Sequence, residues 1–340
     1  MPENFLFHLL SLCPAYVVAR VKTKEGLEGI FVSTSLSPKE LFGQRRRMLN
    51  HVARILSFIR KITSGRVYVG LAAWWPMVTD NGLALKRFLR EDDRLVITNG
   101  HTSTLASIVL SVEKLCRLVK LPTKELKLLV IGVGKMGGVV AEAFYGKVSL
   151  LGLVDQNPIR LERFEARLKE KIPASMTEKL VVSETDFSSR VVPALAKYHM
   201  AVCTTSNIGY VIRNSEILKD CIILDDARPE AFPRIVNTDR NVAVLEGGLI
   251  RIKGIKMDAD FGFGREENVF GCLAEAFILN LDRLQTLKPT LGEVDLDNFW
   301  KFLEFCRTHG IGEGEFKSGH SKVEEATLKK MLEAKMSSFS

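Results

Sequence analysis

From residue 122 to about 262 the chain alternates short apolar runs with longer stretches whose apolar positions recur every three or four residues. The runs at 127–132, 149–155, 179–184, 201–205, 221–226 and 242–246 predict strands, and 135–145, 158–171, 188–197 and 214–219 predict helices. Strands this short and apolar, separated by helices, imply a parallel sheet covered on both faces. Before them the pattern is mixed. Runs at 16–21, 29–32, 67–71 and 94–98 predict strands, and Ser37-Pro38-Lys39-Glu40 opens a helix to about residue 63, with Ser37 as cap and Pro38 in the first turn. A helix over 82–90 and a strongly amphipathic one over 104–120, stopped by Pro122, complete this part. After residue 262 the spacing predicts helices over 268–282 and 296–306, then a polar, loose tail beyond Gly310. The predicted domains are 1–121 (an α/β substrate domain), 122–262 (the parallel sheet) and 263–340 (C-terminal helices that pack back on the substrate domain, with the tail).

The loop Gly132-Val133-Gly134-Lys135-Met136-Gly137 gives the sheet a purpose. It follows an apolar strand and opens a helix, and Asp155 ends the next strand about twenty residues on. Gly132 permits the tight turn, Gly134 lets backbone approach a pyrophosphate, and Gly137 allows close packing of helix on strand. The helix start, at Lys135 and Met136, offers unpaired N–H groups to phosphates. The fold class is therefore α/β, a Rossmann-type doubly wound parallel sheet with an N-terminal α/β substrate domain and C-terminal helices. The cofactor is a nicotinamide dinucleotide, NADH or NADPH. Asp155 would accept hydrogen bonds from the adenosine ribose and repel a 2′-phosphate, which favours NADH, while Arg160 is the nearest base that could counter it. Asn157 follows in the same turn. Thr204, Thr205 and Ser206 end the fourth strand of the sheet, followed by Asn207, and are placed to line the nicotinamide half, with Gly248 further on; Cys203 beside them reads as core.

A dinucleotide needs something to reduce or oxidise, and two groups of residues qualify. The polar turn Thr98-Asn99-Gly100-His101-Thr102-Ser103-Thr104 precedes a helix and holds more polar groups than capping requires. Cys272, in Asn268-Val269-Phe270-Gly271-Cys272-Leu273-Ala274-Glu275-Ala276, falls in the first turn of an apolar helix. A thiol at a helix N-terminus becomes a usable nucleophile; the local pattern equally suits a cysteine packed in a helix interface.

Composition narrows the setting. With 340 residues the chain exceeds what one core usually supports, and 46% apolar and 26% charged residues describe an ordinary globular protein. No apolar run approaches the roughly 20 residues of a membrane span. The stretch 5–21 lacks a basic leader, so no secretory signal is expected and the expected location is cytoplasmic. Six dispersed cysteines (Cys13, Cys116, Cys203, Cys221, Cys272, Cys306) make no zinc spacing. The net charge of +8 favours acidic partners, and Arg45, Arg46, Arg47, Arg54, Arg60, Lys61 and Arg66 cluster on one stretch. That cluster reads equally as a solvated helix face. No nucleic-acid motif accompanies it, so no nucleic-acid partner is expected.

In order and spacing the chain resembles the long-chain acyl-(acyl carrier protein) reductases, which form fatty aldehydes, and related bacterial proteins. The resemblance spans about 38–282. It is carried by Ser37-Pro38-Lys39-Glu40-Leu41 and the basic helix, Gly70-Leu71, Gly100-His101-Thr102-Ser103-Thr104, and the 132–137 loop. Further on it is carried by Ile223-Leu224-Asp225-Asp226-Ala227-Arg228-Pro229, Val244-Leu245-Glu246-Gly247-Gly248 and the Cys272 motif. It implies that Cys272 takes the acyl group as a thioester and that NAD(P)H reduces it to the aldehyde. His101 or Ser103 would then supply a proton or hold the oxyanion. It also implies an acyl carrier protein or acyl-CoA as donor, with Arg45, Arg46, Arg47 and Arg54 docking an acidic carrier; a homo-oligomer is left open. The chain departs from that family at Val154-Asp155-Gln156-Asn157, where an arginine is usual. It departs again at His101 and Ser103, where asparagine and histidine are usual. Two other readings stand beside it. One is an oxidoreductase like shikimate dehydrogenase or glutamyl-tRNA reductase. The other is a non-catalytic protein that senses the NADH/NAD ratio.

Overall fold

In the computed structural model, which describes residues 15–339 except 25, 35, 37, 44, 90–93, 173–175 and 207–208, the first strands form where β-branched residues cluster. Cys13, the cap Ser37 and Asn207 lie outside the described residues, as do the side chains of Arg45 and Arg47. Strand β1 (Tyr16–Lys22) pairs antiparallel with β2 (Glu28–Ser33), Arg20 opposite Ile30. Helices α1 (Pro38–Gly43) and α2 (Arg45–Ile62) follow. The buried face of α2 is Met48, Leu49, Val52, Ile55, Leu56 and Ile59, the spacing read from the sequence, and it shares a core with Leu71, Leu85, Leu95 and Ile97. Strand β3 (Val67–Gly70) runs parallel to β4 (Leu95–Thr98). The helix expected over 82–90 is not formed. After α3 (Trp75–Val78), Asp80, Asn81 and Gly82 all have positive φ (53°, 52° and 85°), and only a 3-10 turn, Leu83–Phe88, follows, burying Leu85 alone. A left-handed run cannot feed a regular helix, and one buried side chain gives an α-helix no face to pack.

Helix α4 (His101–Leu118) begins three residues earlier than the pattern suggested, because Asn99 Oδ1 accepts a hydrogen bond from His101 N at 3.0 Å. There follow β5 (Lys127–Ile131), α5 (Lys135–Phe144), β6 (Leu150–Asp155), α6 (Pro158–Lys171), β7 (Thr177–Val181), α7 (Phe187–Leu195), β8 (Met200–Cys203), β9 (Cys221–Asp225), β10 (Val236–Asn237) and β11 (Val242–Glu246). These strands make one seven-stranded sheet in the order β10-β11-β9-β8-β5-β6-β7, parallel throughout except for β10. This is the Rossmann-type doubly wound sheet expected from the sequence. Strands β8 and β9 are buried at every residue, as strands covered on both faces must be. The helix expected at 214–219 shrinks to a 3-10 turn, Ser215–Ile217. Asn214 Oδ1 takes the N–H of Glu216, and none of the three residues is buried.

Past the sheet, Lys256–Met257 pairs antiparallel with β1. The segment expected to be helical from 268 is first a strand, Asn268–Phe270, and becomes α8 only at Gly271–Asp282. Helix α9 (Leu296–Thr308) is capped by Asp295, which accepts from Asp297 N and Asn298 N. The tail beyond Gly310 is not loose. It carries α10 (Glu325–Ser337), whose Leu328, Met331, Leu332 and Lys335 are buried at helical spacing. Lys335 Nζ donates to the carbonyl of Asp220 and lies 3.2 Å from its carboxylate, so the one charge on the buried face is satisfied. The chain divides into two compact units: one runs to Thr102 and includes Ile252–Gly310, the other is Ser103–Arg251 with the chain from Ile311 onward. The sequence reading placed its cuts after residues 121 and 262. Among the described residues no helix is long and apolar enough to cross a membrane.

The second unit contains a buried histidine. His199 Nδ1 accepts from Lys127 N at 2.9 Å, and its ring meets the edge of Phe339 at 4.6 Å. Burial, reinforced by Lys127 and Lys335, brings its pKa from 6.5 down to about 4. Between those values only the unfolded chain takes the proton, so stability present above about pH 6.5 is lost as the pH falls toward 4. In His199→Asn, which keeps an acceptor for Lys127 N, melting temperature should fall less over that window than in the natural chain. Parallel melting curves for the two would refute this account.

Candidate functional site

In the second unit the candidate site is the carboxyl edge of the sheet, where ligands bind in open α/β folds. Gly132 leaves β5 with φ 86°, and its N–H donates to Val154 O at 2.8 Å, drawing the loop across β6. A Cβ on Gly132 would stand 3.0 Å from Thr205 N, whereas at Gly134 it would meet nothing within 4 Å. Gly134 is also the N-cap of α5, with no side-chain cap. The open space and the uncapped N–H groups at Lys135 and Met136 are what a pyrophosphate requires. Lys135 is exposed and Met136 half-buried. At Gly137 a Cβ would stand 1.9 Å from Gly132 O and 2.6 Å from Thr204 Oγ1, so helix and loop touch through backbone. Thr204 Oγ1 donates to Gly132 O at 3.0 Å.

One cavity gathers Gly132, Gly134, Asp155, Thr204, Thr205 and Ser206, with Gln156, Arg160 and Tyr210. Asp155 is 5% exposed. Its Oδ2 accepts from Val133 N and its Oδ1 from Asn157 N, both at 2.9 Å, and Arg160 donates to both oxygens at 3.3 Å. Arg160, the nearest base in the sequence, and Tyr210 join this lining without belonging to the glycine motif. Tyr210, which donates to Gln156 Oε1 at 2.7 Å, carried no motif. The Asn157 side chain caps α6, accepting from Arg160 N at 3.0 Å. Gly248 is not part of this cavity lining. Its φ is 80°, and a Cβ there would meet Asp226 Oδ1 at 2.6 Å and Thr104 Cγ2 at 3.4 Å.

In the first unit Cys272 is the second residue of α8, whose N-cap, Phe270, offers no side-chain hydrogen bond. The ends of β3 and β4 close on this turn. A Cβ on Gly70 would lie 3.2 Å from Cys272 O, and one on Gly100, at φ 77°, 2.4 Å from Cys272 Cα. The field of an uncapped helix start favours an anion at this position. Beneath it, Glu275 is fully buried: Thr98 Oγ1 donates to its Oε1, and Thr290 N does so at 3.1 Å. Thr102 and Thr290 hydroxyls meet at 2.6 Å, and Asn99 Nδ2 donates to Asn81 O and Gly292 O. Much of the polar turn therefore builds the floor of the Cys272 turn. The sequence did not reveal Glu275 in this role; an acid three residues past Cys272 in an otherwise apolar helix was the available signal. His101 is half-buried and Ser103 fully buried.

Burial sorts the described cysteines. It pushes the Cys116 and Cys221 thiols up to about 12 and raises those of Cys203 and Cys306 as well. Cys272 is the only described cysteine that is not buried. Among the described residues no group of acids, cysteines and histidines could hold a metal.

No family model matches the chain, and no curated protein sequence does. Similar solved structures include dipicolinate synthase A chain from Bacillus subtilis (15% identity, TM-score 0.35, 66% of each chain covered). Glutamyl-tRNA reductase from Methanopyrus kandleri is similar at 12% identity and TM-score 0.31, over 91% of this chain and 63% of that one. L-tryptophan dehydrogenase from Nostoc punctiforme is similar at 10% identity and TM-score 0.33, over 91% and 76%. The chain spans just under two thirds of the dipicolinate synthase subunits it matches.

Gly100→Ala should disturb the Cys272 turn, since its Cβ meets backbone at 2.4 Å and its φ is positive. The expected cost is about 1–3 kcal/mol of stability together with an altered rate of Cys272 alkylation. Gly65→Ala, also at positive φ but with nothing within 4 Å, should leave that rate unchanged. Equal alkylation rates in all three proteins would remove the proposed grip on Cys272.

Proposed function

We propose that this chain is an NAD(P)H-dependent reductase that converts a fatty acyl thioester to the fatty aldehyde through acyl-Cys272. The observation that carries the reading is a half-buried thiol at the second position of an uncapped helix, seated against the glycine ends of two parallel strands. Resemblance to the aldehyde-forming acyl-(acyl carrier protein) reductases at the same cysteine supports it.

The Cys272 sulfur attacks the acyl carbon of the donor thioester. A carbon–sulfur bond forms to Cys272, the bond to the donor sulfur breaks, and the donor leaves as a thiol after taking a proton. A nicotinamide dinucleotide, when bound, supplies the hydride that this thioester needs. The resulting hemithioacetal on Cys272 loses its hydroxyl proton as the carbon–sulfur bond breaks, releasing aldehyde and restoring the thiol. Of the two groups of the polar turn, half-buried His101 is the one assigned to hold the oxyanion or supply its proton, whereas Ser103 is fully buried. Gly132, Gly134 and Gly137 make room for the pyrophosphate, and Thr204, Thr205 and Ser206 face the nicotinamide half.

The donor is an acyl carrier protein or acyl-CoA. On α2, Arg46, Arg54 and Lys61 are exposed along one side, a cationic stripe suited to an acidic carrier. As for the nucleotide, both Asp155 oxygens already accept backbone N–H groups, and Arg160 stands over them, 47% exposed at its side chain. Asp155 still favours a free ribose, while Arg160 is the cation that admits a 2′-phosphate.

Two experiments test this reading. Intact-mass measurement after incubation with a long-chain acyl-CoA, without nucleotide, should show one added acyl chain that Cys272→Ala abolishes. No adduct at any chain length tried, or an adduct surviving in Cys272→Ala, would sink the mechanism. For the nucleotide, Arg160→Ala should weaken NADPH binding relative to NADH about tenfold, or ~1.4 kcal/mol, by fluorescence titration. An unchanged ratio would show that Arg160 does not read the 2′-phosphate.

A further inference from the structure

Strand β9 ends in Asp225, and a second acid, the half-buried Asp226, follows it directly. Asp225 is fully buried and fully engaged: it accepts from Ala227 N at 3.0 Å, from Ala231 N and Phe232 N at 3.2 Å, and from Arg234 at 3.0 Å. Asp226 is different. Its backbone N–H donates to Cys203 O, the last residue of β8, at 2.9 Å, which fixes it at the carboxyl edge of the sheet. Its carboxylate is shaped around by glycines, since a Cβ on Gly247 would stand 2.7 Å from Asp226 Cβ and one on Gly248 would stand 2.6 Å from Oδ1. The Thr104 methyl, in the first turn of α4, borders the same space. Among the described residues no donor is hydrogen-bonded to that carboxylate.

The position in the sheet says what the group faces. The strand order runs β11-β9-β8-β5-β6-β7, with the glycine loop after β5 and Asp155 at the end of β6. A dinucleotide whose pyrophosphate lies on that loop and whose adenosine lies toward β6 extends its reactive ring over the ends of β8 and β9. We propose that Asp226 is the proton-carrying group beside the reactive ring of the dinucleotide, protonated against the neutral reduced ring and ionised against the cationic oxidised ring. This rests on the dinucleotide part of the proposed function and does not need the acyl chemistry. Each hydride delivered to a carbonyl must be matched by one proton. A carboxyl group that ionises as the ring becomes cationic supplies that proton and leaves two opposite charges side by side.

The surroundings suit a proton that is held and then released. Burial pushes the Asp226 carboxyl from 3.8 up to about 7, with Asp225 and Glu246 pushing the same way and Arg228 and Arg234 opposing. Both arginines are engaged elsewhere: Arg234 with Asp225 at 3.0 Å and Glu246 at 3.4 Å, and Arg228 with Glu246 at 3.5 Å. Ser103 and Thr104, at the α4 start, bring no titratable group.

The test is nucleotide affinity against pH, using the full chain and both NAD+/NADH and NADP+/NADPH, so that the ratio within a pair cancels titration of the nucleotide phosphates. From about pH 5.5 to about pH 8.5 the oxidised form should gain on the reduced form by roughly tenfold, because ionised Asp226 attracts only the cationic ring. Asp226→Asn should bind both forms with a ratio independent of pH. It should also melt higher than the natural chain above pH 7, where the natural chain carries a half-buried charge near Asp225 and Glu246 and the variant does not. A flat ratio in the natural chain, or the same slope in Asp226→Asn, overturns the inference and leaves the dinucleotide reading intact. If no nucleotide binds at any pH, the dinucleotide reading falls and this inference with it.

Discussion

The contact on which the second unit depends is made by backbone alone: the first turn of α5 lies against the carbonyl of Gly132, so close that a Cβ on Gly137 would stand 1.9 Å away. Because nothing projects from Gly137, the loop after β5 folds back tightly. Thr204 Oγ1 can then reach Gly132 O, tying the end of β8 to the end of β5. Any side chain at 137 would lift the helix off the loop, separating the N–H groups of the α5 start from the turn that presents them. The first unit repeats the device. Gly100 has no Cβ to meet Cys272 Cα, so the end of β4 runs directly onto the α8 start. In both places an apolar parallel strand delivers a glycine, and the glycine lets a helix start approach the strand end through backbone.

Around these contacts the chain buries carboxylates that a stable core would otherwise exclude, since an unpaired buried charge costs more than most single interactions return. Each is treated differently. Asp225 is surrounded by donors and serves to hold the loop 226–234. Glu275 receives a hydroxyl and an N–H and fastens α8 to β4 and to Thr290. Asp155 receives two N–H groups and a guanidinium, which fix the glycine loop to β6 before any ligand arrives. Asp226, half-buried beside them, has no donor on its carboxylate among the described residues, and Gly247 and Gly248 have no side chain that would crowd it.

Periodicity made the sheet legible. Strands β5, β6, β8, β9 and β11 fall on apolar runs, because strands covered on both faces leave no polar alternation, and α6 has the bounds its spacing predicts. The edge strand β7, Thr177–Val181 and largely polar, begins two residues before the run expected at 179–184. The glycine loop was legible for the same reason, since its residue types are dictated by backbone geometry. What the sequence hid was tertiary. Helix α10 looks like a solvated tail because charged residues, Glu325, Lys329, Lys330, Glu333 and Lys335, recur along it. Lys335 is nevertheless buried once Asp220 and Ala196 offer it carbonyls from 115 and 139 residues away. Asp225 and Asp226 are adjacent and chemically identical, and nothing local says which is satisfied. That difference is made by Arg234 and the turn at 227–232 on one side and by Gly247 and Gly248 on the other. The failed helices at 82–90 and 214–219 have the converse cause. Their composition permits a helix, but left-handed residues at 80–82 and the Asn214 turn divert the backbone, and too little is buried to overrule them.

Burial decides the thiol chemistry as firmly as it decides the core. Four described cysteines are packed among apolar side chains that raise their pKa, so at neutral pH they are thiols in fact as well as in name. Cys203 carries the argument furthest. It lies at the very end of β8, beside the residues assigned to the nicotinamide half, and by sequence position alone it would be a rival to Cys272. Its complete burial, with Asp225 nearby raising it further, leaves no way for it to ionise or meet a substrate. A nucleophile needs the opposite: partial exposure and an electrostatic field that favours the anion. The second position of α8 supplies both, and the rigidity of the turn comes from Gly70, Gly100 and the Glu275 hydrogen bonds rather than from burial of the sulfur itself. A fixed backbone with an accessible side chain is what the role proposed for Cys272 requires, and the four buried cysteines lack that access.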